Sequence, residues 1–403
     1  MTEKVNVPKL RFGEFEGEWN EVDISSLGKV VTGSTPPTSD PSNYLGDRLF
    51  ISPADLDGRK YISSTKTTLS QKGFDTGRLL PSGSVCFVCI GSTIGKVAIN
   101  SEDAISNQQI NAVVVNHKKY DSDFVYSRLI KDSPRIKLLA GEQAVPILNK
   151  SSFGKVKVFT PPLHEQQKIA SFLSKVDEKI ALLTEKKDKL TEYKKGAMQQ
   201  LFNGKWQEQD GQLTFIPPTL RFKADDGSEF PDWEEKKLGD LFSISAGGDI
   251  SKEHSNSVKT DKFKYPVFAN AETNKGLHSY SDIYKISQPC LTVSGRGSLG
   301  NAVFRDEPFY PIVRLLVLKA ALPVDLKFYE YAINKLNIFN ESTGVPQLTA
   351  PQLRTYAIVM PCIEEQKKIA RAIESLDRKI DLVLLELEKA KEWKKGLLQQ
   401  MFV

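Results

Sequence analysis

One internal repeat constrains this chain more than any other feature of its sequence. Residues 161–202 and 361–402 align without a gap at a spacing of 200 residues. The identical positions include Glu165, Gln166, Lys168, Ile169, Ala170, Asp177, Lys179, Ile180, Lys194, Lys195, Gly196, Gln199 and Gln200, each matched 200 residues later. Because self-similarity at a fixed period marks a repeated structural unit, we predict a duplicated chain in which a globular domain is followed by a long helix.

Fainter matches extend the repeat towards the start of each copy. Residues 144–148 resemble 344–348, and Leu10-Arg11-Phe12 with Trp19 resembles Leu220-Arg221-Phe222 with Trp233. The duplication therefore includes the globular domains, whose sequences have diverged further than the helices.

Both predicted helices carry apolar residues at the a and d positions of one heptad frame. These are Leu173, Val176, Ile180, Leu183 and Leu190 in the first copy, and Ile373, Leu376, Ile380, Val383, Leu387, Ala390 and Leu397 in the second. A single stripe of this kind could pack on its own domain. Two helices of about 40 residues, and hence ~60 Å each, are too long for that alone. We predict that they pack on each other as an antiparallel coiled coil, a ruler holding the domains apart.

The segments before each helix have the pattern of α+β domains with mostly antiparallel sheets. β-branched and aromatic runs predict strands at 49–51, 85–90, 97–99, 112–115, 291–293 and 312–318, and short helices are predicted near 124–139 and 326–337. The predicted organisation is a first domain at 1–160, a central helix at 161–203, a linker at 204–217, a second domain at 218–360 and a C-terminal helix at 361–403. The fold class is therefore α+β, with two globular domains joined by two long antiparallel helices in a pseudo-twofold repeat.

The charge is modest and evenly spread. The 55 basic and 50 acidic residues give a net charge of +5, divided as +3 over 1–160, +1 over 161–215, 0 over 216–360 and +1 over 361–403. No segment is strongly basic, so a nucleic acid would be bound through local patches or together with a partner. The sequence shows no secretory signal and no apolar run of about 20 residues, so we expect a cytoplasmic protein without a membrane role.

Three motifs resemble functional sites but fit other roles better. Cys86 and Cys89 form a C-x-x-C within a strand-like run, where residues three apart face opposite sides, so buried core cysteines are favoured over a metal site. The segment 295–300 matches the dinucleotide-binding G-x-G-x-x-G, but a strand follows where a helix is required. The segment 91–96 is one residue short of a P-loop. Both glycine segments are predicted to be hairpin loops.

Catalytic signatures are missing from the sequence. The four histidines are widely spaced, and no G-x-S-x-G, H-E-x-x-H or adenine-methyltransferase motif is present. We therefore predict that the chain has no catalytic residues, cofactor site or metal site of its own.

The motifs resemble one family, the specificity (S) subunits of type I restriction-modification systems. The resemblance lies in Pro161-Pro162-Leu163-x-Glu165-Gln166-x-x-Ile169 before a long helix, its echo at Glu365-Gln366-x-x-Ile369, the Lys-Lys-Gly-x-x-Gln-Gln ends of both helices, and the two Leu-Arg-Phe openings. Cys362 and Ile363 depart from the first copy. The resemblance is specific in the helical repeats and weak in the globular domains.

The resemblance implies that the globular domains are two target-recognition domains. Each would read half of a bipartite, asymmetric site in double-stranded DNA, and the antiparallel helices would fix the unread spacer. It also implies two methyltransferase (M) subunits that bind S-adenosylmethionine and methylate flipped-out adenines. Restriction (R) subunits would add ATP- and Mg-dependent translocation and cleavage.

Polar and basic residues on glycine-flanked loops are the candidate DNA contacts, because Arg or Lys can read guanine and Asn or Gln can read adenine in the major groove. They are Lys72, Arg78, Ser92, Thr93, Lys96, Asn107, Gln108, Gln109, Arg296, Ser298 and Asn301. The alternative is that most of them are ordinary solvated loop residues. Two rival functions stay open, a coiled-coil scaffold with protein-binding heads and a fused methyltransferase.

Overall fold

The chain divides into two compact units, and the boundaries between them fall inside the two long helices. In the computed structural model, the first unit comprises Met1–Glu185 with Leu384–Val403, and the second unit is Lys186–Val383. The structure describes residues 6–141, 145–209, 212–218, 220–336, 338 and 347–403, with the backbone alone at 205–209 and 212–214. Parts of the predicted match between 144–148 and 344–348, and residue 337 of a predicted helix, lie outside the described residues.

The first unit combines a five-stranded sheet with smaller sheets and short helices. Its elements are β1 (Asn20–Asp23), α1 (Ile24–Leu27), β2 (Gly28–Thr32), β3 (Tyr44–Ile51), β4 (Tyr61–Ile62), β5 (Thr68–Leu69), α2 (Gln71–Asp75), β6 (Val85–Val88), β7 (Val97–Asn100), β8 (Ala104–Ser106), β9 (Ile110–Val115), α3 (Ser122–Leu138), α4 (Lys150–Gly154), β10 (Lys157–Thr160) and the start of α5 (Leu163–Phe202). The main sheet has the order β2-β9-β6-β7-β4, and β5-β3-β8 and β1-β10 form the others.

The second unit repeats this plan. Its elements are β11 (Lys205–Gln209), β12 (Gln212–Ile216), β13 (Glu234–Lys237), α6 (Leu238–Leu241), β14 (Phe242–Ala246), β15 (Ser255–Asn256), β16 (Tyr265–Phe268), β17 (Leu277–Ser281), β18 (Cys290–Val293), β19 (Ala302–Arg305), β20 (Tyr310–Pro311), β21 (Leu316–Ala320), α7 (Leu326–Lys335), α8 (Ala350–Arg354), β22 (Ala357–Met360) and the start of α9 (Ile363–Met401). The sheets are β14-β21-β18-β19, β15-β17-β16-β20, β13-β22 and β11-β12. The α+β class and the two repeated units are confirmed.

One sequence expectation needs correction, and the predicted linker has regular structure of its own. The apolar run 312–318 was expected to be one strand, but β21 begins only at Leu316, because Val313 and Arg314 adopt left-handed backbone angles that no strand can contain. The predicted linker 204–217 contains the antiparallel hairpin β11–β12, whose strands are separated in the sequence by Asp210-Gly211, a dipeptide typical of two-residue hairpin loops.

The long helices pack antiparallel within each unit. In the first unit, a buried cluster joins Ile169 and Leu173 near the start of α5 to Leu397 and Met401 at the end of α9. In the second unit, the end of α5 packs against the start of α9. Of the predicted a and d residues, Leu173, Val176, Leu183, Ile373, Val383, Leu387, Ala390 and Leu397 are buried, whereas Ile180, Leu190, Leu376 and Ile380 are half-buried.

One ion pair occurs once in each unit with the two helices exchanged. Lys394 of α9 contacts Asp177 of α5 at 2.5 Å in the first unit. Lys194 of α5 contacts Asp377 of α9 at 2.5 Å in the second. Since these four residues are related by the 200-residue spacing, the exchange is what a pseudo-twofold repeat requires.

A buried glutamate at the start of each long helix holds the opening segment of its unit. Glu165 is 1% exposed and accepts two hydrogen bonds from the guanidinium of Arg11, both at 2.8 Å, and one from Trp19 Nε1 at 3.3 Å. Glu365 accepts the same three bonds from Arg221 and Trp233, at 3.0, 2.8 and 2.9 Å. These hydrogen bonds raise the pKa of both arginines. The arginine of each matched Leu-Arg-Phe opening therefore pairs with a buried carboxylate.

The glutamine after each buried glutamate makes a second set of hydrogen bonds that is repeated in both units. Gln166 donates to the carbonyl of Pro161 at 2.8 Å and accepts from the backbone N–H of Asp121 at 3.1 Å. Gln366 makes the equivalent bonds to Pro361 and Asp325 at 2.8 Å each. Asp121 and Asp325 in turn cap the N-termini of α3 and α7. The Glu-Gln pair thus ties each long helix to the globular part of its unit.

The two units differ where aromatic side chains fill the helix pair. Phe172 packs edge-on between Phe12 and Trp393, with ring centroids 5.8 and 6.2 Å away. The second unit has Ala372 in place of Phe172 and contains a cavity of about 340 Å³. The cavity is lined by Tyr193, Ala197, Leu201, Leu220, Arg221, Phe222, Ala372, Ile373, Ser375, Leu376 and Lys379.

We expect Glu165→Ala to destabilise the protein by about 3 kcal/mol, because the Trp19 N–H loses its acceptor and the Arg11 guanidinium keeps only the carbonyls of Glu16 and Gly17. Urea-induced unfolding monitored by tryptophan fluorescence measures the change. The exposed Glu178 on the same helix provides the control, since Glu178→Ala should stay within about 0.5 kcal/mol of the unchanged chain. Equal effects of the two substitutions would contradict the role given to Glu165.

Candidate nucleic-acid interface

In the first unit, two polar loops meet at one end of the main sheet. The segment 89–96 connects β6 to β7, and the turn 107–109 connects β8 to β9. A backbone hydrogen bond of 2.8 Å from Cys89 N to Gln109 O joins them. The structure therefore brings together six predicted contacts, namely Ser92, Thr93, Lys96, Asn107, Gln108 and Gln109.

Two further segments border this cluster. Thr35 donates a 2.6 Å hydrogen bond to Gln108 Oε1, and Arg78 donates one of 2.8 Å to the carbonyl of Thr32, at the end of β2. Lys96 reaches the carbonyl of Pro53 at 3.4 Å. Arg78, Lys96 and Gln108 are exposed. This end of the unit therefore presents amide, hydroxyl and cationic groups together.

Lys72 stands apart from this cluster. It lies on α2 and forms an ion pair with Asp40 at 2.7 Å, supported by a 2.8 Å hydrogen bond to Ser42. Hydrogen bonds from Lys72 and Ser42 lower the pKa of Asp40 to about 2. Since its charge is already matched within the chain, Lys72 is the weakest of the predicted contacts.

The side-chain amides of the 107–109 turn are partly ordered before any ligand arrives. Asn107 Nδ2 donates to Gln109 Oε1 at 3.0 Å, and Asn107 Oδ1 accepts from the backbone N–H of Gln109 at 3.1 Å. An amide held in one orientation can offer its donor and acceptor to the N7 and N6 edge of adenine.

In the second unit, the predicted contacts lie on the loop between β18 and β19. The two strands pair antiparallel from Cys290–Arg305 to Val293–Ala302, which confirms a hairpin and excludes a nucleotide-binding helix after the glycines. Gly297 and Gly300 have positive φ angles of 69° and 82°. Segment 91–96 likewise joins the antiparallel strands β6 and β7, so the second glycine motif is also confirmed as a hairpin.

The three predicted residues of this loop have different surroundings. Arg296 is half-buried and donates a long hydrogen bond of 3.4 Å to Gln347. Ser298 is exposed, and its carbonyl accepts from Ser294 Oγ. Asn301 donates its backbone N–H to Ser294 Oγ at 3.0 Å. Ser298 is therefore the most exposed of the three, and Arg296 and Asn301 are both half-buried.

Sequence reasoning missed two residues at the same end of the second unit. Val313 and Arg314 form a turn directly before β21, and both are exposed. Asn270 links this turn to the glycine loop, since it donates to Val313 O at 2.6 Å and accepts from Gly295 N at 2.8 Å. The sequence indicates this turn only through its place between two strands, β20 and β21, which correspond to the strands β8 and β9 on either side of the 107–109 turn.

Cys86 and Cys89 belong to the core of the first unit. Cys86 and Cys89 are 0% and 1% exposed and lie in different hydrophobic clusters, so they face opposite sides as predicted. Burial raises the pKa of both thiols to about 12. Among the described residues, no group of three His, Cys, Asp or Glu side chains is placed to hold a metal ion. Within the same residues, no helix is long and apolar enough to cross a membrane.

We expect a thiol reagent at pH 8 to modify only the half-buried Cys362 rapidly in the folded chain. Cys86, Cys89 and Cys290 should react only after unfolding, because burial raises the pKa of each and excludes the reagent. Mass spectrometry after timed labelling measures this, and Cys362→Ser is the control that should abolish the rapid phase. Rapid modification of Cys86 or Cys89 would be inconsistent with their burial.

A model of the Type I restriction modification DNA specificity domain matches residues 16–192 and 231–391. The specificity subunit of the type I restriction enzyme MjaVIII from Methanocaldococcus jannaschii is 24% identical over an alignment of 407 positions, which covers 94% of this chain and 91% of that protein. The HindI specificity subunit from Haemophilus influenzae is 31% identical over 195 residues, 46% of this chain and 41% of that protein.

Solved structures share the fold. The S subunit of a type I restriction-modification system from M. genitalium superposes with a TM-score of 0.64 at 16% identity, covering 98% of this chain and 99% of that one. A chain from a study of complex assembly and conformational transition in the type I R-M system has a TM-score of 0.57 at 16% identity, covering 95% and 97%.

Proposed function

This chain belongs to the family of type I restriction-modification DNA specificity subunits, and from that premise we propose that it reads a bipartite, asymmetric DNA site, one half with each unit. Proteins of this family are non-catalytic specificity subunits, so the chain supplies recognition rather than an enzymatic activity. We therefore do not propose the alternative function of a fused methyltransferase.

The observation that carries the proposal is the repetition of one loop arrangement in both units. In each unit, a glycine-containing hairpin loop and a short turn lie at the same end of the main sheet, joined by hydrogen bonds. The framework is repeated, but the side chains are not, since amides dominate the first unit and arginines the second. Two loop surfaces with different side chains on one repeated framework are what a DNA site with two different halves requires.

The helices give the proposed site its fixed spacer. α5 and α9 have 40 and 39 residues, so each extends about 60 Å. Their repeated Asp–Lys ion pairs and buried stripes resist sliding of one helix along the other. We propose that the length of this helix pair sets the number of unread base pairs between the half-sites.

Partner subunits would supply the chemistry. We propose two methyltransferase subunits, which would bind S-adenosylmethionine and flip adenines out of the duplex, and restriction subunits that use ATP and Mg. The likeness to a chain studied for assembly of a type I system supports such partners. The modest net charge of +5 agrees with a reader that shares its phosphate contacts with other subunits.

Deleting this chain should abolish one methylation motif in cells that express it with its methyltransferase subunit. The expected result is loss of a split adenine motif with a fixed gap, measured by sequencing native DNA with and without the chain. An unchanged methylome would instead favour the protein-binding scaffold. In that case, the assembled complex should also lack salt-dependent affinity for duplex DNA.

Inserting one heptad into α5 alone should change the spacer or break assembly, because the stripes and ion pairs of α5 and α9 would no longer coincide. The matched control inserts one heptad into both helices, which adds about 10 Å and should lengthen the spacer by roughly three base pairs. Methylome sequencing reads the spacer, and gel filtration of the complex reads assembly. An unaltered motif with the single insertion would refute the ruler.

A further inference from the structure

The turn 312–315 of the second unit occupies the place of the turn 107–110 in the first. Each turn leaves a strand that pairs parallel with its neighbour, β8 with β3 and β20 with β16, and each enters a strand of the main sheet. Three backbone hydrogen bonds recur at equivalent positions. In the first unit they run from Asn107 N to Ile51 O (2.9 Å), from Ile110 N to Asn107 O (3.2 Å) and from Gly33 N to Ile110 O (3.1 Å). In the second unit, in the same order, they run from Ile312 N to Phe268 O (2.9 Å), from Leu315 N to Ile312 O (3.0 Å) and from Gly247 N to Leu315 O (2.8 Å). Val313 therefore corresponds to Gln108, and Arg314 corresponds to Gln109.

The backbone of the second turn is strained. Val313 and Arg314 have φ angles of 54° and 59°, the left-handed region in which a β-branched residue is an outlier. A turn with two such central residues normally contains Asn-Gly, because these residues tolerate positive φ. Gln108 and Gln109 have no such strain, so it is not a requirement of the framework.

The surroundings force the turn into this shape. Its outer residues, Ile312 and Leu315, are 5% and 3% exposed and anchor both ends in the core. Val313 N donates to Gly248 O at 3.0 Å, and Val313 O accepts from Asn270 at 2.6 Å. Backbone strain that several surrounding contacts hold in place is found most often at functional sites.

The result is an exposed apolar side chain beside an exposed cation. Val313 is 40% exposed, and Arg314 has no hydrogen bond or ion pair with the residues that the structure describes. Gly295 lies against this turn, since a Cβ atom there would come within 3.3 Å of Arg314 O. Arg296 is the next residue of the glycine loop. Two arginines and a valine are thus grouped at the end of the second unit where the amides lie in the first.

We propose that Val313 and Arg314 determine specificity in the half-site read by the second unit, with Arg314 reading a guanine and Val313 contacting the methyl group of an adjacent thymine. Arginine matches the O6 and N7 acceptors of guanine, and an apolar side chain suits the thymine methyl. The corresponding Gln108 and Gln109 read adenine in the other half-site. This inference rests on the proposed DNA-reading function and assigns its residues.

The test measures the methylation motif in cells that express the full chain with its methyltransferase subunit. Arg314→Ala should weaken the preference for one G·C pair in one half-site by roughly ten-fold or more and leave the other half-site unchanged. Lys319→Ala is the matched control, because Lys319 lies at the opposite end of β21, and the same motif should be read.

A second variant separates reading from folding. The double substitution V313N/R314G installs the residues that a turn of this shape prefers, so its unfolding temperature should rise while the discrimination at both base pairs is lost. A turn with a purely structural role would give a more stable protein that reads the original motif.

If the chain directs a split motif and both variants preserve every base preference, the assignment of Val313 and Arg314 is overturned, and the proposed function stands. If the unchanged chain directs no motif, the proposed function fails and the inference with it. Relaxation confined to one half-site, in a variant at least as stable as the original, supports the inference.

Discussion

Both units depend on a carboxylate that is buried at the first turn of a long helix. Glu165 and Glu365 are almost completely removed from solvent, which is tolerable only because an arginine and an indole N–H satisfy each of them. The arginine comes from the opening segment of the unit, some 150 residues earlier in the chain. One buried carboxylate therefore joins the opening segment of each unit to the start of its long helix. The adjacent glutamine joins the same helix to the residue that caps α3 or α7.

This arrangement separates the part of each unit that must stay constant from the part that can vary. The Glu-Gln pair, the paired outer strands and the helix stripes lie at the helix end of each unit, and they are repeated. The loops at the end of the main sheet carry no comparable constraint, except that their backbones must leave and enter the same strands. Equivalent turns can therefore hold Gln-Gln in one unit and Val-Arg in the other. Such a stable framework allows the loop residues to diverge between the units without a change of fold.

Much of the architecture could be predicted because the repeat and the heptad pattern are properties of the sequence itself. The long helices, the two α+β units and the glycine hairpins followed from periodicity and from the strand after each glycine segment. The pairing of Arg11 with Glu165 could not be predicted, since nothing local connects residues 154 positions apart. The 312–315 turn was missed because Ile312 to Leu318 has the propensity of a single strand. Contacts from Gly248 and Asn270 override that propensity, and such contacts are visible only in the folded chain.

The difference between Phe172 and Ala372 bears on how the gene can change. The ring cluster of the first unit takes Phe172 from one copy of the repeat and Trp393 from the other, together with Phe12 from the opening segment. The corresponding residues, Tyr193 and Ala372, both line the cavity of the second unit. Recombination that made the two copies identical would therefore alter the packing of both units at once. Selection for two well-packed units would preserve the divergence of the copies, and the duplicated halves would be inherited as a matched pair.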